Sequence, residues 1–289
     1  MFSKPLNIFL KLIRFYLSLA ITFSTFAGYI LFRHNIDLKC LYTIIGVFLM
    51  SCAASALNHF QERRQDALME RTRNRPLPLN QIKPGTVIVI SAVLGISGFC
   101  LLYFKSTIVA ALLGIFNLAW YNGIYTPLKK KTSFAVLIGS LSGAVPPVIG
   151  WTAAGGSITD ARIIIVALFM LLWQIPHFWL LMLRFGKEYE KAGFASVLKV
   201  LSENSLRRIA FIWMLTSILS SLTFPFYHIL SNSILIIGLV IINIVLILFF
   251  ARRLFSKRLY ENLNSTFRWI YIYQAFILIL LILDAIKII

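Results

Sequence analysis

Residues 232–250 read NSILIIGLVIINIVLILFF, nineteen positions without a charged side chain. At about 1.5 Å per helical residue, such a run spans the roughly 30 Å hydrocarbon core of a bilayer. Its apolar residues are nearly continuous, without the alternation of period two that a membrane β-barrel needs. Similar runs recur at 15–32, 41–59, 85–103, 107–124, 134–153, 163–182, 209–226 and 269–286, so the sequence predicts an all-α polytopic membrane bundle of nine transmembrane helices. Composition agrees: 59% of residues are hydrophobic and 13% charged, with mean hydropathy +0.84, whereas soluble domains carry about 25% charged residues. The first run is longer than a signal-peptide core and no small-residue cleavage pattern follows it, which predicts a retained helix. No low-complexity linker or clear repeat interrupts the chain, so residues 1–289 are expected to form one membrane domain.

The net charge of +18 has a simpler source than nucleic-acid binding, namely the excess of Lys and Arg in the cytoplasmic loops of membrane proteins. With the N-terminus in the cytoplasm, 23 of the 28 basic residues fall on that side. They lie before the first helix, in 60–84, at Lys129–Lys131, from Arg184 to Arg208 and from Arg252 to Arg268. The opposite side receives Arg33, Lys39, Lys105, Arg162 and Lys287. The expected topology is N-terminus in and C-terminus out. Cys40, Cys52 and Cys100 form no CxxC pair and read as packing residues.

Two cytoplasmic loops, 60–84 and 183–206, hold six of the ten acidic residues, and none of the ten is near the middle of a span. A proton relay or ion pathway would place ionisable groups at mid-depth, so any chemistry is expected at the membrane surface. There a substrate could keep a polar head in water and an apolar tail among the helices.

NHFQERRQDALMERTRNRP, residues 58–76, sets Asn58, Glu62 and Asp66 four residues apart. If the second helix continues past the membrane, they share one face. Such an oxygen row suits Mg²⁺, which takes one or two carboxylates plus waters and phosphate oxygens; a solvated helix extension paired with its arginines is the other reading. Arg71, Arg73 and Arg75 follow, with guanidinium forks that match phosphate geometry. Glu188 and Glu190 form a second acidic group beside Lys187 and Lys191. In YTPLKKKT, 125–132, Lys129 and Lys130 read as topology determinants or as phosphate contacts. WQIPHFW, 173–179, carries Trp173, Gln174 and His177 near the cytoplasmic end of the sixth helix, which Pro176 is expected to kink. His177 reads either as a packed interfacial residue or as a substrate contact. PPVIGW, 146–151, reads as a broken apolar helix.

Taken in order, NHFQERRQDALMERTRNRPLP, YTPLKKKTSFAVLIGSLSGAVPPVIGW and LLWQIPHFWLLMLRFGKEYEKAG resemble the UbiA superfamily of intramembrane prenyltransferases, and within it the members that farnesylate heme b. The resemblance is strong over roughly residues 45–200, and the helix count extends it to the whole chain. It implies a bundle with a central cavity open to the cytoplasmic side and the lipid, in a bacterial cytoplasmic (inner) membrane. It also implies farnesyl diphosphate bound through Mg²⁺, heme b as the acceptor, and heme A synthase or terminal-oxidase assembly factors as partners. The family's first acidic motif, Asn-x3-Asp/Glu-x3-Asp, falls on Asn58, Glu62 and Asp66, and its Arg-rich stretch on Arg71 to Pro76. Tyr125 is implied as an aromatic shield for the farnesyl cation.

The chain departs from the family pattern at two places. The second acidic motif, Asp-Tyr-x-x-Ala-Gly before a Pro-Met-Leu-Pro-like stretch, is Glu188-Tyr189-Glu190-Lys191-Ala192-Gly193 before Phe-Ala-Ser-Val-Leu, leaving Glu188 as the implied ligand. The N-terminal Lys-Pro-Arg becomes Lys11-Leu12-Ile13-Arg14, which carries the family's arginine over to Arg14. Two rival readings are a sister enzyme prenylating an aromatic quinone precursor, against which WQIPHFW and GAVPPVIGW weigh, and a non-catalytic transporter or heme-handling factor, which would need polar groups deep in the spans.

Overall fold

A computed structural model of the chain describes residues 4–256 and 259–286, with side chains throughout except at 4 and 259–262. Lys257, Arg258 and Lys287, used in the topology count, lie outside the described residues. Among the described residues there is no strand, and nine helices are long and apolar enough to cross a membrane. The chain is an integral membrane protein.

A short amphipathic helix α1 (Lys4–Leu12) precedes the first span, α2 (Phe15–Arg33). Then follow α3 (Leu38–Gln61), α4 (Arg63–Leu68), α5 (Pro84–Lys105) and α6 (Ile108–Ala119). The chain continues from α6 through a π-helical turn, Trp120–Tyr125, into α7 (Thr126–Leu128). Beyond it lie α8 (Ala135–Gly139), α9 (Leu141–Ala153), α10 (Ala161–Lys191), α11 (Glu203–Ser221), α12 (Ser233–Leu254) and α13 (Leu259–Ile286). Polar caps start many of the spans. Asp37 accepts from Cys40 N–H, Thr107 from Ala110 N–H, Asp160 from Arg162 N–H, and Asn232 from the N–H groups of Ile234 and Leu235. Large apolar side chains such as Phe104, Ile96, Ile234 and Leu248 stay exposed on the outer faces, as lipid-facing positions do.

Lipid tails are as apolar as Leu, so helices in a bilayer associate through close packing rather than the hydrophobic effect, and small residues mark the contacts. A Cβ on Gly28 would collide with the Pro147 backbone, and one on Gly150 with the Thr25 carbonyl, so α2 and α9 cross backbone to backbone. In the same way Gly98 of α5 abuts Gly46 and Met50 of α3. Two main apolar cores result. One is built on α10 to α13 around Phe169, Trp173, Met214 and Phe250, and the other on α2, α3, α5, α6 and α9 around Tyr29, Val47 and Ile149.

Three sequence expectations shift. The helix carrying Pro146 and Pro147 is not broken there: α9 runs through both prolines and the interruption falls at Ser140, because the crossing with Gly28 holds the proline turn against α2. α10 is continuous through Pro176 for 31 residues, so 183–191 is the end of a helix rather than a loop. The second span is continued by α4 after an irregular junction at Glu62, as the Asn58–Glu62–Asp66 row requires.

Gly150→Ala is expected to lower stability in detergent by about 1–3 kcal/mol, since the methyl group meets backbone that cannot yield without moving a helix. Gly238→Ala, where a Cβ meets nothing within 4 Å, should be neutral or stabilising by up to about 1 kcal/mol. Thermal unfolding of the two variants checks the contrast; equal midpoints would exclude the crossing as a packing constraint.

Candidate active-site cavity

The i→i−4 ladder passes through the Glu62 junction, with Glu62 N–H donating to Asn58 O at 3.0 Å and Asp66 N–H to Glu62 O at 2.8 Å. Asn58, Glu62 and Asp66 therefore stand one turn apart, and all are buried, at 0%, 5% and 1% exposure. Buried carboxylates require partners. Asp66 receives Arg75 Nη1 on both oxygens, at 2.7 and 2.6 Å, and Glu62 is ion-paired with Lys129. Asn58 Oδ1 accepts from Arg14 Nη2 at 2.8 Å, and its amide donates to Thr126 Oγ1 at 3.1 Å. Arg14 also donates to His59 Nε2 at 3.0 Å. Its backbone is left-handed, φ 47°, a strained choice for a residue with a Cβ; these bonds hold it there.

Burial pushes the Asp66 carboxyl above its ordinary value, and the Arg75 guanidinium only partly offsets this. Burial acts on Glu62 in the same sense, but Lys129, Arg14 and Arg75 outweigh it and hold the group below the usual carboxylate value. For Lys129, burial opposes the charge and Glu62 overcomes it, leaving the ammonium raised. Arg75, buried and facing Arg14, is lowered.

These side chains form one end of a cavity of about 390 Å³. Arg14, Arg71, Arg75 and Lys129 line it against two carboxylates, Glu62 and Asp66, an excess of positive charge suited to an anion. Its interior is apolar, with Leu17, Ile21, Val47, Met50, Leu118 and Ile149 on the walls. Between the two regions stand Tyr121 and Tyr125, their ring centroids 5.5 Å apart, with the Lys129 ammonium 4.9 Å from the Tyr125 ring. The π-helical turn aims both rings: it follows α6 directly and shifts the helical phase where π-bulges commonly mark functional sites. Gly139 is required opposite, because a Cβ there would strike the Tyr125 ring. On the α10 side, Gln174 Nε2 donates to Ser140 O and Met170 O at 3.3 and 3.2 Å. His177 Nε2 is bonded to Tyr271 Oη at 3.0 Å, while its Nδ1 is buried without a partner.

Of the residues singled out from sequence, the structure brings Arg14, Glu62, Asp66, Arg71, Arg75, Tyr125, Lys129, Gln174 and His177 to this cavity. Asn58 sits behind it, holding Arg14. Arg73 and Lys130 are exposed outside it. Trp173 turns into the α10–α13 core, its ring 4.8 Å from Tyr273. Glu188 lies on the last turn of α10, off the cavity, with Oε2 buried and unpartnered. Tyr121, Asn117, Tyr189, Tyr271 and Gln274 also line the cavity and were not among the sequence candidates. Tyr271 and Gln274 lie in the last span, where no motif marks them; Tyr121 lies four residues before Tyr125, and Tyr189 lies in the second acidic stretch, next to Glu188.

The fold and cavity define a membrane-embedded site for an amphiphile with an anionic head. Residues 21–279 match the UbiA prenyltransferase family. The chain is 47% identical over 150 residues to a protoheme IX farnesyltransferase of Geobacter sulfurreducens, covering 52% of this chain and 55% of that one, so the match spans little more than half of that relative. It is 35% identical over 221 residues to one of Nitratidesulfovibrio vulgaris, covering 76% of this chain and 77% of the relative. Among solved structures, one described as digeranylgeranylglyceryl phosphate synthase superposes with TM-score 0.78 at 22% identity, covering 99% of this chain and 100% of the other. A UbiA homologue from Archaeoglobus fulgidus bound to DMAPP and Mg²⁺ gives 0.68 at 13% identity, covering 97% and 99%. At such identities these two show the shared fold alone. The chain belongs to the UbiA prenyltransferase family.

Glu62→Gln leaves Lys129 buried without its counter-charge, at an expected cost of about 3–5 kcal/mol at pH 7. A carboxyl held below its unfolded value contributes stability above that value, and loses it as pH falls through the folded one. Melting midpoints should therefore fall less steeply for the variant than for the parent below about pH 4.3, the unfolded Glu value. Parallel curves through that window would rule out Glu62 as the titrating group.

Proposed function

We propose that this chain transfers the farnesyl group of farnesyl diphosphate to a vinyl group of heme b, giving heme O and diphosphate. The observation that carries the reading is a single cavity in which a cation-rich end meets an apolar interior through two tyrosine rings. The Nitratidesulfovibrio relative named protoheme IX farnesyltransferase, matched over three quarters of its length, supports heme as the acceptor. The charged end belongs on the cytoplasmic face of a bacterial inner membrane, by the distribution of basic residues, and the product would pass to heme A synthase or terminal-oxidase assembly factors.

The donor set fits Mg²⁺. Two cavity-lining carboxylates one turn apart match an ion that takes one or two carboxylates and fills its remaining positions with water and phosphate oxygens. Glu62 and Asp66 would hold it; Glu188, which the resemblance implied as a ligand, lies off the cavity on the last turn of α10. When bound, the ion supplies charge neutralisation to the leaving diphosphate. With Glu62 and Asp66 engaged by the ion, Lys129 and Arg75, here tied to those carboxylates, would be free to bind phosphate oxygens, and Arg14 would complete the cationic set. The allylic C–O bond breaks, and diphosphate keeps its electron pair. Tyr121 and Tyr125 shield the farnesyl cation with their ring faces. The vinyl carbon of heme b bonds to the farnesyl C1, water adds to the carbocation left on the porphyrin side, and its proton departs. The apolar walls exclude competing water from the first cation.

Purified protein given heme b, farnesyl diphosphate and Mg²⁺ should yield a porphyrin carrying the hydroxyethylfarnesyl group by mass analysis. Prenylation of an aromatic quinone precursor with heme b untouched would assign the sister reaction. Asp66→Asn is expected to abolish turnover while the protein remains in the membrane, and excess EDTA to do the same. Activity of the variant within about twofold of the parent, a free-energy difference of only about 0.4 kcal/mol, would remove Asp66 from the clamp.

His177→Ala should weaken heme b binding selectively, with farnesyl diphosphate binding retained, because His177 stands on the α10 wall and the phosphate ligands elsewhere: Arg14 before α2, Arg75 after α4 and Lys129 after α7. Separate titrations of the two substrates decide: equal losses indicate general misfolding, and parental heme binding returns His177 to a packing role.

A further inference from the structure

Three of the four cationic side chains in the cavity are held by its own polar groups: Arg75 by Asp66, Lys129 by Glu62, and Arg14 by Asn58 and His59. Arg71 is placed differently. Its guanidinium lies 5.5 Å from the centroid of the Phe185 ring and 6.0 Å from that of Tyr189, and donates to Tyr189 Oη at 3.1 Å. Among the described residues it forms no ion pair with a carboxylate, unlike Arg75 and Lys129. It projects toward α10, and the hydrogen-bonded pair His177 and Tyr271, with Gln274, lines the same cavity from α10 and α13. Arg71, Tyr189, Tyr271 and Gln274 can all donate hydrogen bonds, and the two lining carboxylates belong to the first helical pairs, Glu62 and Asp66.

A cation seated on two aromatic faces beside hydroxyl donors suits a single carboxylate better than a metal-bridged diphosphate, whose several negative charges match the carboxylate-paired cations. The acceptor read above supplies such a group: heme b bears its propionates on the macrocycle edge away from its vinyl groups. We propose that Arg71, with Tyr189 and Tyr271, forms the carboxylate subsite of the acceptor and takes a heme propionate, while Arg14, Arg75 and Lys129 serve the diphosphate. The donor and acceptor are then sorted to opposite walls by charge, and the porphyrin lies along α10 and α13 with its vinyl edge turned to the interior. This assignment rests on heme b being the acceptor.

The test begins with the unaltered protein in detergent, titrated with heme b and with its dimethyl ester, whose propionates carry no charge. The ester is expected to bind about tenfold more weakly or worse, the worth of one charge-assisted hydrogen-bonded pair. Arg71→Gln should lose about the same factor for heme b, no longer distinguish acid from ester, and keep its affinity for farnesyl diphosphate; Arg71→Lys should recover part of the loss. Arg75→Gln should show the reverse pattern. Equal binding of heme b and its ester to the unaltered protein overturns the subsite while leaving the acceptor reading intact. So does an Arg71→Gln variant that loses farnesyl diphosphate instead of heme b. No binding of heme b to the unaltered protein overturns the acceptor reading and the subsite together.

Discussion

Charge brought out of water at the edge of a membrane must be neutralised locally, and the pairs Asp66–Arg75 and Glu62–Lys129 do this for the two carboxylates of the cavity. One pair is local and the other joins elements distant in the chain. Asp66 and Arg75 close the segment after α3 onto itself, and Glu62 to Lys129 ties α3 to the end of the fourth span. Arg14 reaches the same cluster from before the first span through Asn58 and His59. Three segments separated by tens of residues are thereby fixed around one concavity. In the function proposed above, an arriving diphosphate and cation would exchange partners with both pairs.

The apolar half of the cavity depends on a different constraint. Helices in lipid gain nothing from burying leucine against leucine, so their crossings are decided where backbones approach. Gly28 and Gly150 let α2 meet α9, and Gly98 with Gly46 lets α5 meet α3. Along the cavity wall the same economy of side chain makes room for function: Gly139 admits the Tyr125 ring and Gly143 admits the Gln174 amide. The π-helical turn at 120–125 then rotates Tyr121 and Tyr125 between the charged end and the apolar interior. Remote from the cavity, Tyr273, Asn243 and Ser221 join α13, α12 and α11 through a buried hydrogen-bonded network, which fixes the wall that carries Tyr271 and Gln274.

Sequence alone determined the all-helical membrane class, since every apolar run has one length, one composition and no alternation. It also determined where the charged residues gather, because basic and acidic residues are largely confined to the connections by the cost of placing them in hydrocarbon. The i, i+4, i+8 row of Asn58, Glu62 and Asp66 was legible for the same local reason: helical periodicity puts such positions on one face wherever the helix goes. Only the tertiary structure decided partners and facing. Lys129 enters the cavity while Lys130 points out, Trp173 packs on Tyr273 while His177 lines the wall, and Arg71 separates from Arg75. Tyr271 and Gln274 come to the site from the last span with no motif to announce them. These outcomes depend on how each helix is rotated about its own axis, which is set by backbone contacts at glycines and by a π turn between elements far apart in the chain, and local periodicity does not encode that rotation.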